Sequence, residues 1–506
     1  MTRFSSQGYY SQRAYQIVDM ENNTCKPNTL YSEAKTRQLI EECIWQDGTG
    51  GDSLNTTILK DKLYERRLKG ADKTSLTFDE AYALGAFISN YAVFDSTIFD
   101  RLGYKVKDRA DLTSHLKIGG AANVTGKKIL YMARVLPPAV ALQTAGMTAT
   151  EIAGSCAAVF DFDIPKYLNP NVEYVIDNCG MGGDRLFTSN LSTVALFAVS
   201  GYKGIKTCKH GSPGNTDSAG SSDFAVHLIK EIAKEEGLES KLLDKKNGVF
   251  DEIGFLTKVT PEKMSGIIEK TGFGYTEAVD TNYKTIHVLT QFLGHIAHIN
   301  DIIGPITAPV NPQKMTKRIV GVNHLVDTKT AAEAYEILNK KGVTNVQSAY
   351  IIRGGGEFQG RGLGMDEFTN LGPTEITEIQ NGVVKETYSV TPEDFGLKTY
   401  TPKGAIPYKG RLVVEGISPG YEVLAANGGK LPAGEKLSDY KKVMSTQLLK
   451  DELSGPARDL QLMNIAPMLV LCGVASSLEK ATETADQLLK EKRGYEVAKD
   501  FVRCLA

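Results

Sequence analysis

The stretch from Val172 to Gly201, VEYVIDNCGMGGDRLFTSNLSTVALFAVSG, decides the fold. It begins with a short run of β-forming residues, VEYVID, and continues into a turn with glycines at 180, 182 and 183. An apolar run, NLSTVALFAVSG, follows, and Asn190 and Ser192 at its start are residue types that commonly cap helices. A strand that leads through a glycine-rich turn into an apolar helix is typical of an α/β domain.

Strand and helix patterns continue to alternate after this stretch. Further strands are predicted in KGIKTCKHG, at Arg318–Val326 and at Ser348–Arg353, and the helical pattern TKTAAEAYEILNKKG lies between the last two. Asp459–Gly473 and Leu478–Lys492 are predicted helices near the end of the chain. Residues 171–506 are therefore predicted to form an α/β domain.

The part of the chain before this domain has a different texture. Residues 58–170 are mostly helical in pattern and form a predicted helical domain, which residues 92–125 interrupt as an insertion. Residues 1–57 are polar and irregular, with one short helix predicted at Tyr31–Trp45. We interpret them as an N-terminal extension.

Three helices of the helical domain carry recognisable signals. Thr77 precedes FDEAYALGAFISNY as a candidate N-cap, and Thr148 and Glu151 have the spacing of a capping box. Lys127–Gln143 is strongly apolar and contains two adjacent prolines, which should kink the helix. These signals predict where the helices begin.

Composition argues against several classes of partner. The chain of 506 residues has 58 basic and 60 acidic residues and no run of Lys and Arg longer than two, which disfavours nucleic-acid binding. No apolar stretch reaches the ~18–20 residues that span a bilayer, and the first ten residues lack an apolar signal core. Seven scattered cysteines without a C-x-x-C pair disfavour disulfide frameworks and zinc sites. We expect a cytoplasmic protein.

The glycine-rich turn is the first candidate site. Its glycines permit close approach of a ligand to backbone N–H groups, and the following helix presents its positive end at Asn190, Ser192 and Thr193. This pattern suits a phosphate or pyrophosphate. An ordinary strand-to-helix turn explains the segment equally well.

The second candidate site is the polar loop Lys209–Asp223, KHGSPGNTDSAGSSD. Small hydroxylated residues beside glycine suit contacts to oxyanions, and Lys209 supplies a positive charge. A solvated loop is the alternative, and we interpret His210 as a structural hydrogen-bonding residue rather than a general base.

The third candidate site is the stretch from Gly354 to Glu367, GGGEFQGRGLGMDE. The adjacent carboxylates of Asp366 and Glu367 suit Mg²⁺, which takes few protein oxygens and shares the rest with water and phosphate. A hairpin-like loop that ends in exposed acids is the alternative.

Together these motifs resemble the anthranilate phosphoribosyltransferase family. The family's G-T-G-G-D appears as Gly180–Asp184 with Met181 in place of Thr, and N-x-S-T, K-H-G and D-E follow in order. Further matches are IGP at Ile303–Pro305, VGV at Val320–Val322, PEDFGL at Pro392–Leu397 and GPARDLQLMN at Gly455–Asn464. The resemblance covers about Val172–Ala506 and, more loosely, the helices at 58–91 and 127–160.

The resemblance implies a small helical domain joined to a larger α/β domain with a central mixed sheet. It also implies a donor, phosphoribosyl pyrophosphate, together with Mg²⁺, a small-molecule acceptor and a homodimer formed through the helical domain. Catalysis would rest on Lys209, Asp366 and Glu367, and Mg²⁺ would be held by Asp366, Glu367 and Ser192. The residues implied to bind the donor are Gly180, Gly182, Gly183, Asp184, Asn190, Ser192, Thr193, Lys209, Gly211, Gly220 and Ser221.

A second GTGGD occurs at Gly48–Asp52. It follows a helical pattern rather than a strand, and no N-x-S-T lies six residues further on. We interpret it as a turn, because the context of a motif decides its function.

The acceptor side departs from the family. Ser212 stands where anthranilate enzymes have Asn, and residues 278–294 lack both their His-Pro pair and their Arg. A guanidinium fork for a planar carboxylate is therefore missing there, and lysine replaces it poorly. His287, His295 and His298 crowd this region, and we expect them to serve packing. Residues 1–57 and 92–125 flank the helical domain and could reshape the acceptor pocket.

The predicted function is a Mg²⁺-dependent phosphoribosyltransferase whose acceptor is a nitrogenous or aromatic molecule other than anthranilate. Three alternatives stay open. They are a true anthranilate phosphoribosyltransferase of tryptophan biosynthesis, a nucleoside phosphorylase, and a non-catalytic homologue that binds nucleic acid or another ligand. The K-H-G motif argues against the phosphorylase, because the phosphorylases of this superfamily have K-H-S.

Overall fold

The computed structural model describes a defined part of the chain. The described residues are 30–44, 62, 75–86, 88, 139–164, 167–183, 185–211, 219–242, 259–277, 298–358, 361–362 and 364–506. Several predictions fall on residues outside these ranges: the insertion at 92–125, the second GTGGD, the proline pair, Asp184, Ser212 and the segment 278–294.

The chain divides into two units. The first comprises residues 1–167, 282–307 and 333–343, and the second comprises 168–281, 308–332 and 344–506. The predicted helical and α/β domains meet at residue 170, close to the division at residues 167 and 168. Two later stretches, 282–307 and 333–343, belong to the first unit although they lie within the predicted α/β domain. The boundary at residue 170 therefore stays a proposal.

The described helices have the following bounds. They are α1 (Glu33–Ile44), α2 (Phe78–Ala86), α3 (Ala149–Ala158), α4 (Leu191–Ser200), α5 (Ser221–Glu235), α6 (Glu239–Leu242), α7 (Pro261–Thr271), α8 (Asn300–Ile306), α9 (Thr328–Lys340), α10 (Tyr421–Ala426), α11 (Leu437–Leu449), α12 (Pro456–Leu471), α13 (Leu478–Lys490) and α14 (Arg493–Leu505). None of these helices is both long and apolar enough to cross a membrane.

The described strands all lie in the second unit. They are β1 (Ile176–Gly180), β2 (Thr207–Gly211), β3 (Phe273–Glu277), β4 (Lys317–Gly321), β5 (Ser348–Gly354), β6 (Glu357–Phe358), β7 (Arg361–Gly362), β8 (Thr374–Gln380), β9 (Val383–Val390), β10 (Ala405–Tyr408) and β11 (Arg411–Val414).

Seven strands form the central sheet in the order β3-β2-β1-β4-β5-β8-β9. The first five are parallel, and β8 and β9 are antiparallel to their neighbours. This mixed sheet and the helices around it confirm the predicted fold class. Two small hairpins, β6–β7 and β10–β11, are separate sheets.

The strand order reverses between β1 and β4. From β1 the chain runs to β2 and β3 on one side of the sheet, and then returns to place β4 and β5 on the other. In open α/β sheets, ligands bind outside the carboxyl ends of the strands at such a switch point. The carboxyl ends of β1 and β4 therefore lie where a ligand is expected.

The second unit packs its core around α4, which is buried on almost every face. Its Phe197 ring stacks on Phe273 of β3 with centroids 3.7 Å apart, and Phe501 of α14 meets Phe273 edge-on at 5.2 Å. Stacked and edge-on aromatic pairs add to the stabilisation from buried area. The core thereby ties the helix after the glycine-rich turn to the sheet and to the last helix.

In the first unit, α2 and α3 pack at close range. Gly154 allows the contact, because a Cβ there would lie 2.5 Å from the Phe78 carbonyl oxygen. The capping box predicted at Thr148 and Glu151 is confirmed. Glu151 also accepts a hydrogen bond from the Leu76 N–H at 2.8 Å, which fixes the chain before α2.

Several predicted elements differ from the structure. The first strand begins at Ile176, not at Val172, and the strand predicted at Arg318–Val326 is Lys317–Gly321. Asn190 is the N-cap residue of α4, but its side chain makes no capping hydrogen bond, so that prediction is wrong. The reason is tertiary, because Asn190 Oδ1, the atom that would cap the helix, accepts a hydrogen bond from Ser445 Oγ at 3.3 Å instead.

Candidate active site

The carboxyl ends of β1 and β4 are brought against the acidic pair. Gly180 and Gly321 are register partners on these two strands. A Cβ at Gly180 would lie 2.0 Å from Asp366 Oδ2, and a Cβ at Gly321 would lie 1.6 Å from the Asp366 carbonyl oxygen. Both positions therefore require glycine, because any side chain would displace Asp366.

The turn after β1 is held by three hydrogen bonds. The Gly182 N–H donates to Asp366 Oδ2 at 2.5 Å, and Asn323 Nδ2 donates to the Gly182 carbonyl oxygen at 2.6 Å. The Met181 N–H donates to the Gly321 carbonyl oxygen at 2.9 Å. Gly182 and Gly183 have φ angles of 69° and 75°, which side chains disfavour. The first and third sequence motifs thus meet, while Asp184 lies outside the described residues.

Asp366 and Glu367 are half-buried rather than exposed. Burial raises the pKa of Asp366, against the opposing effects of the Gly182 N–H and of the positive charges of Lys441 and Arg411. Glu367 Oε2 accepts a hydrogen bond from the Thr188 hydroxyl at 3.3 Å. Because a cation would relieve the cost of burying the Asp366 charge, the pair suits a bound metal ion.

Magnesium fits this donor set. Among the described residues, no group of three or more His, Cys, Asp and Glu side chains is arranged to hold a metal ion. A dedicated protein cage is not required for Mg²⁺, which commonly uses one or two carboxylates and completes its shell with phosphate and water. Asp366 and Glu367 provide that minimum.

The K-H-G motif forms the end of β2, beside β1. The Lys209 side chain is only 3% exposed, and its Nζ donates to the His210 carbonyl oxygen at 2.7 Å. A Cβ at Gly211 would lie 1.7 Å from Ser221 Oγ, so this glycine permits the start of α5 to approach. Gly220, the N-cap residue of α5, donates its N–H to Asp223 at 2.7 Å. These residues of the second motif are therefore together, and 212–218 lie outside the described residues.

The start of α4 is anchored to helix α11 and to the residue before the N-cap of α5. The Asn190 N–H donates to Ser445 Oγ at 2.9 Å, and its side-chain amide donates to the Ala219 carbonyl oxygen at 3.4 Å. Ser192 is half-buried, whereas Thr193 is fully buried and its hydroxyl has no partner among the described residues. Asn190 thus positions the helix start next to the K-H-G loop.

A buried charge cluster supports the strand ends and was not predicted. Arg318 Nη2 lies 2.6 Å from Asp177 Oδ2, and His210 Nδ1 lies 3.4 Å from the same oxygen. The burial of Asp177 opposes its ionisation, but His210 and Arg318 outweigh burial and hold its pKa well below the usual range. His210 is thus a structural partner, as interpreted from the sequence. The missed signal was the pairing of Asp177 and Arg318 on adjacent strands.

The positive charges of His210 and Lys209 also act on Cys179. Burial opposes the thiolate, but His210 and Lys209 outweigh it and lower the pKa of Cys179. Burial likewise opposes the charging of His210, yet Cys179 and Asp177 together raise the pKa of His210 to about 9. Asp177, Cys179 and His210 therefore form a buried group of interacting charges beneath the candidate site.

The acceptor segment predicted from the sequence, 278–294, lies outside the described residues, and the description resumes at His298. His298 is described and is buried, with its Nδ1 3.4 Å from Asp301 Oδ2. Its N–H donates to the same carboxylate at 2.9 Å, at the start of α8. These contacts support the packing role expected for His298.

Comparison with known proteins defines the class. Residues 172–250 and 246–411 match the family model of the glycosyl transferase family, α/β domain. The matched part contains the central sheet and all three motifs. The protein is thus an enzyme that transfers a glycosyl group.

The relatives are more specific. The anthranilate phosphoribosyltransferase of Pyrococcus furiosus is 30% identical over 361 residues, which are 71% of this chain and 87% of the relative. That of Rubrobacter xylanophilus is 27% identical over 376 residues, which are 72% and 85% of the two chains. The chain belongs to the anthranilate phosphoribosyltransferase family and is a phosphoribosyltransferase.

Solved structures share the fold. The anthranilate phosphoribosyltransferase of Thermus thermophilus has a TM-score of 0.56 at 20% identity and covers 89% of this chain and 99% of its own. The Saccharomyces cerevisiae enzyme, in complex with PRPP and Mg, has a TM-score of 0.57 at 17% identity with the same coverage. The resemblance seen in the motifs is thereby confirmed.

Proposed function

We propose that this phosphoribosyltransferase transfers phosphoribosyl from phosphoribosyl pyrophosphate, bound with Mg²⁺, to a nitrogenous or aromatic acceptor other than anthranilate. One observation carries the donor half of the proposal. The Gly182 N–H and the Asp366 carboxylate, which belong to separate motifs, meet over 2.5 Å at the switch point of the sheet. The Saccharomyces cerevisiae enzyme, which shares this fold, forms a complex with PRPP and Mg.

The donor residues are proposed from the sequence motifs, two of which meet at this contact. Gly180, Gly182 and Gly183 offer a backbone that a pyrophosphate can approach closely. Lys209 supplies a buried positive charge at the neighbouring strand end. The remaining proposed donor residues are Asp184, Asn190, Ser192, Thr193, Gly211, Gly220 and Ser221.

The metal residues are likewise proposed from the motifs. Asp366 and Glu367 would hold Mg²⁺, and Ser192 at the start of α4 is proposed as a further oxygen ligand. Bound Mg²⁺ would neutralise the pyrophosphate charge that grows as the donor bond breaks.

The chemistry is a substitution at C1 of the ribose. The C1–O bond breaks and its electron pair leaves with pyrophosphate, while the acceptor lone pair forms the new bond and the acceptor loses a proton. The transition state has oxocarbenium character, so holding the leaving group and placing the acceptor are the main tasks. Lys209 and the backbone of the turn at Gly183 serve the first task.

The acceptor is proposed from the sequence of the acceptor segment. Asn, His-Pro and Arg, which the family uses there, are replaced in residues 212 and 278–294. A site built around a charged hydrogen-bonding partner discriminates strongly between ligands that match it and ligands that do not. Loss of those groups therefore favours another acceptor.

A true anthranilate phosphoribosyltransferase is the second candidate, because the relatives quoted above carry that name. The homodimer and the cytoplasmic location also remain proposals. The first rests on the resemblance, and the second rests on the scattered cysteines.

Pyrophosphate release tests the proposal. The protein is incubated with phosphoribosyl pyrophosphate, Mg²⁺ and, in turn, aryl amines, amides, nucleobases, phenols and anthranilate. We expect donor-dependent release with an acceptor other than anthranilate, and no release after chelation of Mg²⁺. A kcat/KM for anthranilate above ~10⁴ M⁻¹s⁻¹, an ordinary enzyme efficiency, would establish the second candidate.

Calorimetry separates the remaining alternatives. We expect the donor to bind with Mg²⁺ in the absence of any acceptor. Binding of a nucleoside with inorganic phosphate, and none of the donor, would support the phosphorylase and contradict the proposal.

A further inference from the structure

A cavity of about 340 Å³ lies beside the glycine-rich turn, and neither of its two arginines was among the candidate site residues. Its lining residues are Arg185, Gly362, Pro407, Gly410, Arg411 and Leu412. They come from the segment after the turn and from the hairpins β6–β7 and β10–β11, all in the second unit. The cavity therefore brings two arginines together from distant parts of the chain.

Backbone pairing sets the arginines opposite each other. Leu412 of β11 forms a parallel bridge with Leu186, donates its N–H to the Arg185 carbonyl oxygen at 2.7 Å and accepts from the Phe187 N–H at 2.9 Å. In a parallel pair this register places Arg185 beside Arg411. Because side chains alternate along a strand, both arginines point to the same face. Phe187 and Val413, two residues further along on the same face, pack in a cluster with Leu424 and Leu437 that anchors the hairpin.

Two like charges placed opposite each other across strands are unfavourable. Within the part of the chain that the structure describes, neither guanidinium lies within 4.0 Å of a carboxylate. An arginine pair in that arrangement is well suited to an oxyanion, which both guanidinium groups can bind through paired N–H donors.

The positive charge of the arginine side acts on Asp366 of the acidic pair. Arg411 and Lys441 both act electrostatically on Asp366, and Lys441 Nζ lies 5.6 Å from the centre of the Phe187 ring. Arg185 follows the turn whose Gly182 contacts Asp366. The arginine pair is thus placed near the residues proposed to hold the metal and the leaving group.

We infer that Arg185 and Arg411 bind the pyrophosphate of the donor and stabilise it as it leaves with the electron pair of the C1–O bond. This inference rests on the proposed function. It adds two binding residues that lie outside the glycine-rich turn and the D-E pair. They act on the donor and leave acceptor affinity unchanged.

Inorganic pyrophosphate with Mg²⁺ is the probe, and its affinity is measured by calorimetry on the full chain. We expect Arg185→Gln and Arg411→Gln each to weaken binding about tenfold or more, as loss of a charged hydrogen-bonding partner does. Lys403→Gln, the same charge change on an exposed residue before β10, is the control and should change affinity less than twofold.

Thermal unfolding checks that the variants fold. We expect the unliganded Arg411→Gln protein to melt at or above the wild-type temperature, because a like-charge contact is removed, and to lose most of the pyrophosphate-induced shift. Unchanged pyrophosphate affinity in both variants, or weakened binding of anthranilate as a carboxylate probe alone, would overturn the inference. Failure of the wild type to bind both pyrophosphate and the donor would instead overturn the proposed function.

Discussion

The Gly182 N–H donates to the Asp366 carboxylate over 2.5 Å, although the two residues are 184 positions apart in the sequence. Gly321 also contacts Asp366, because its lack of a side chain lets the Asp366 backbone pack directly against β4. This contact couples the turn proposed for pyrophosphate to the residues proposed for Mg²⁺. Changes on either side of it should therefore affect both.

The close approach at Gly321 can be tested by adding one methyl group. We expect Gly321→Ala to lower kcat/KM at least a hundredfold and to destabilise the protein by about 1–3 kcal/mol, because the new Cβ would meet the Asp366 carbonyl oxygen. Gly266→Ala is the control, since a Cβ there meets nothing within 4 Å, and helix α7 should tolerate or favour alanine. Pyrophosphate release and denaturant unfolding measure the two effects. Normal activity of Gly321→Ala would contradict the proposed role of the contact.

The acidic pair can be neutralised without a change of shape. We expect Asp366→Asn with Glu367→Gln to fold normally and to lose about 10²–10³-fold or more in kcat, since two amides cannot hold Mg²⁺ against pyrophosphate. The exposed Glu483→Gln is the control and should have full activity. Turnover is measured across a range of Mg²⁺ concentrations. Normal turnover of the double variant at low Mg²⁺ would show that the metal is held elsewhere.

The buried pair of Asp177 and Arg318 should matter for stability. We expect Asp177→Asn to destabilise the fold by about 3–5 kcal/mol, because it leaves the Arg318 guanidinium buried without its opposite charge. Glu491→Gln removes the exposed partner of Arg493 and should change stability little. Urea unfolding compares them. A similar small effect for both variants would contradict the importance of burial.

His210 should make stability depend on pH. The pKa of His210 is raised from 6.5 to about 9 in the folded protein. Its contribution to the free energy of unfolding is therefore complete below about pH 6.5 and is lost as the pH rises through 9. We expect the unfolding free energies of wild type and His210→Gln to differ most at pH 6 and to converge towards pH 10. The difference between them should change by up to about 3 kcal/mol over this range.

His227 provides a control of opposite sign. Burial lowers the pKa of His227, against the opposing effect of the Glu231 charge. Its contribution to the free energy of unfolding should therefore be lost as the pH falls. The difference between wild type and His227→Gln should therefore shrink towards pH 5. Parallel pH profiles for the two histidine variants would refute both assignments.

Local sequence was sufficient for much of the fold. The capping box of Thr148 and Glu151, the helix Thr328–Lys340 and the strand Ser348–Gly354 are confirmed, because short-range hydrogen bonds and the periodicity of apolar residues specify them. The order of the motifs was sufficient for the family. Asn190 shows the limit, since a residue type that caps helices instead binds Ala219 and Ser445.

Local patterns and the order of the motifs were enough to predict the fold class and the family, and the proposed donor and metal residues come from the same motifs. Three relationships emerged only from the folded chain: Asp366 packs against Gly180 and Gly321, Asp177 pairs with Arg318 and His210, and the backbone register sets Arg185 beside Arg411. Each of these contacts joins residues on different strands or loops. Their pairing depends on strand order and register, which are set by how the whole sheet buries its apolar faces and not by any local pattern.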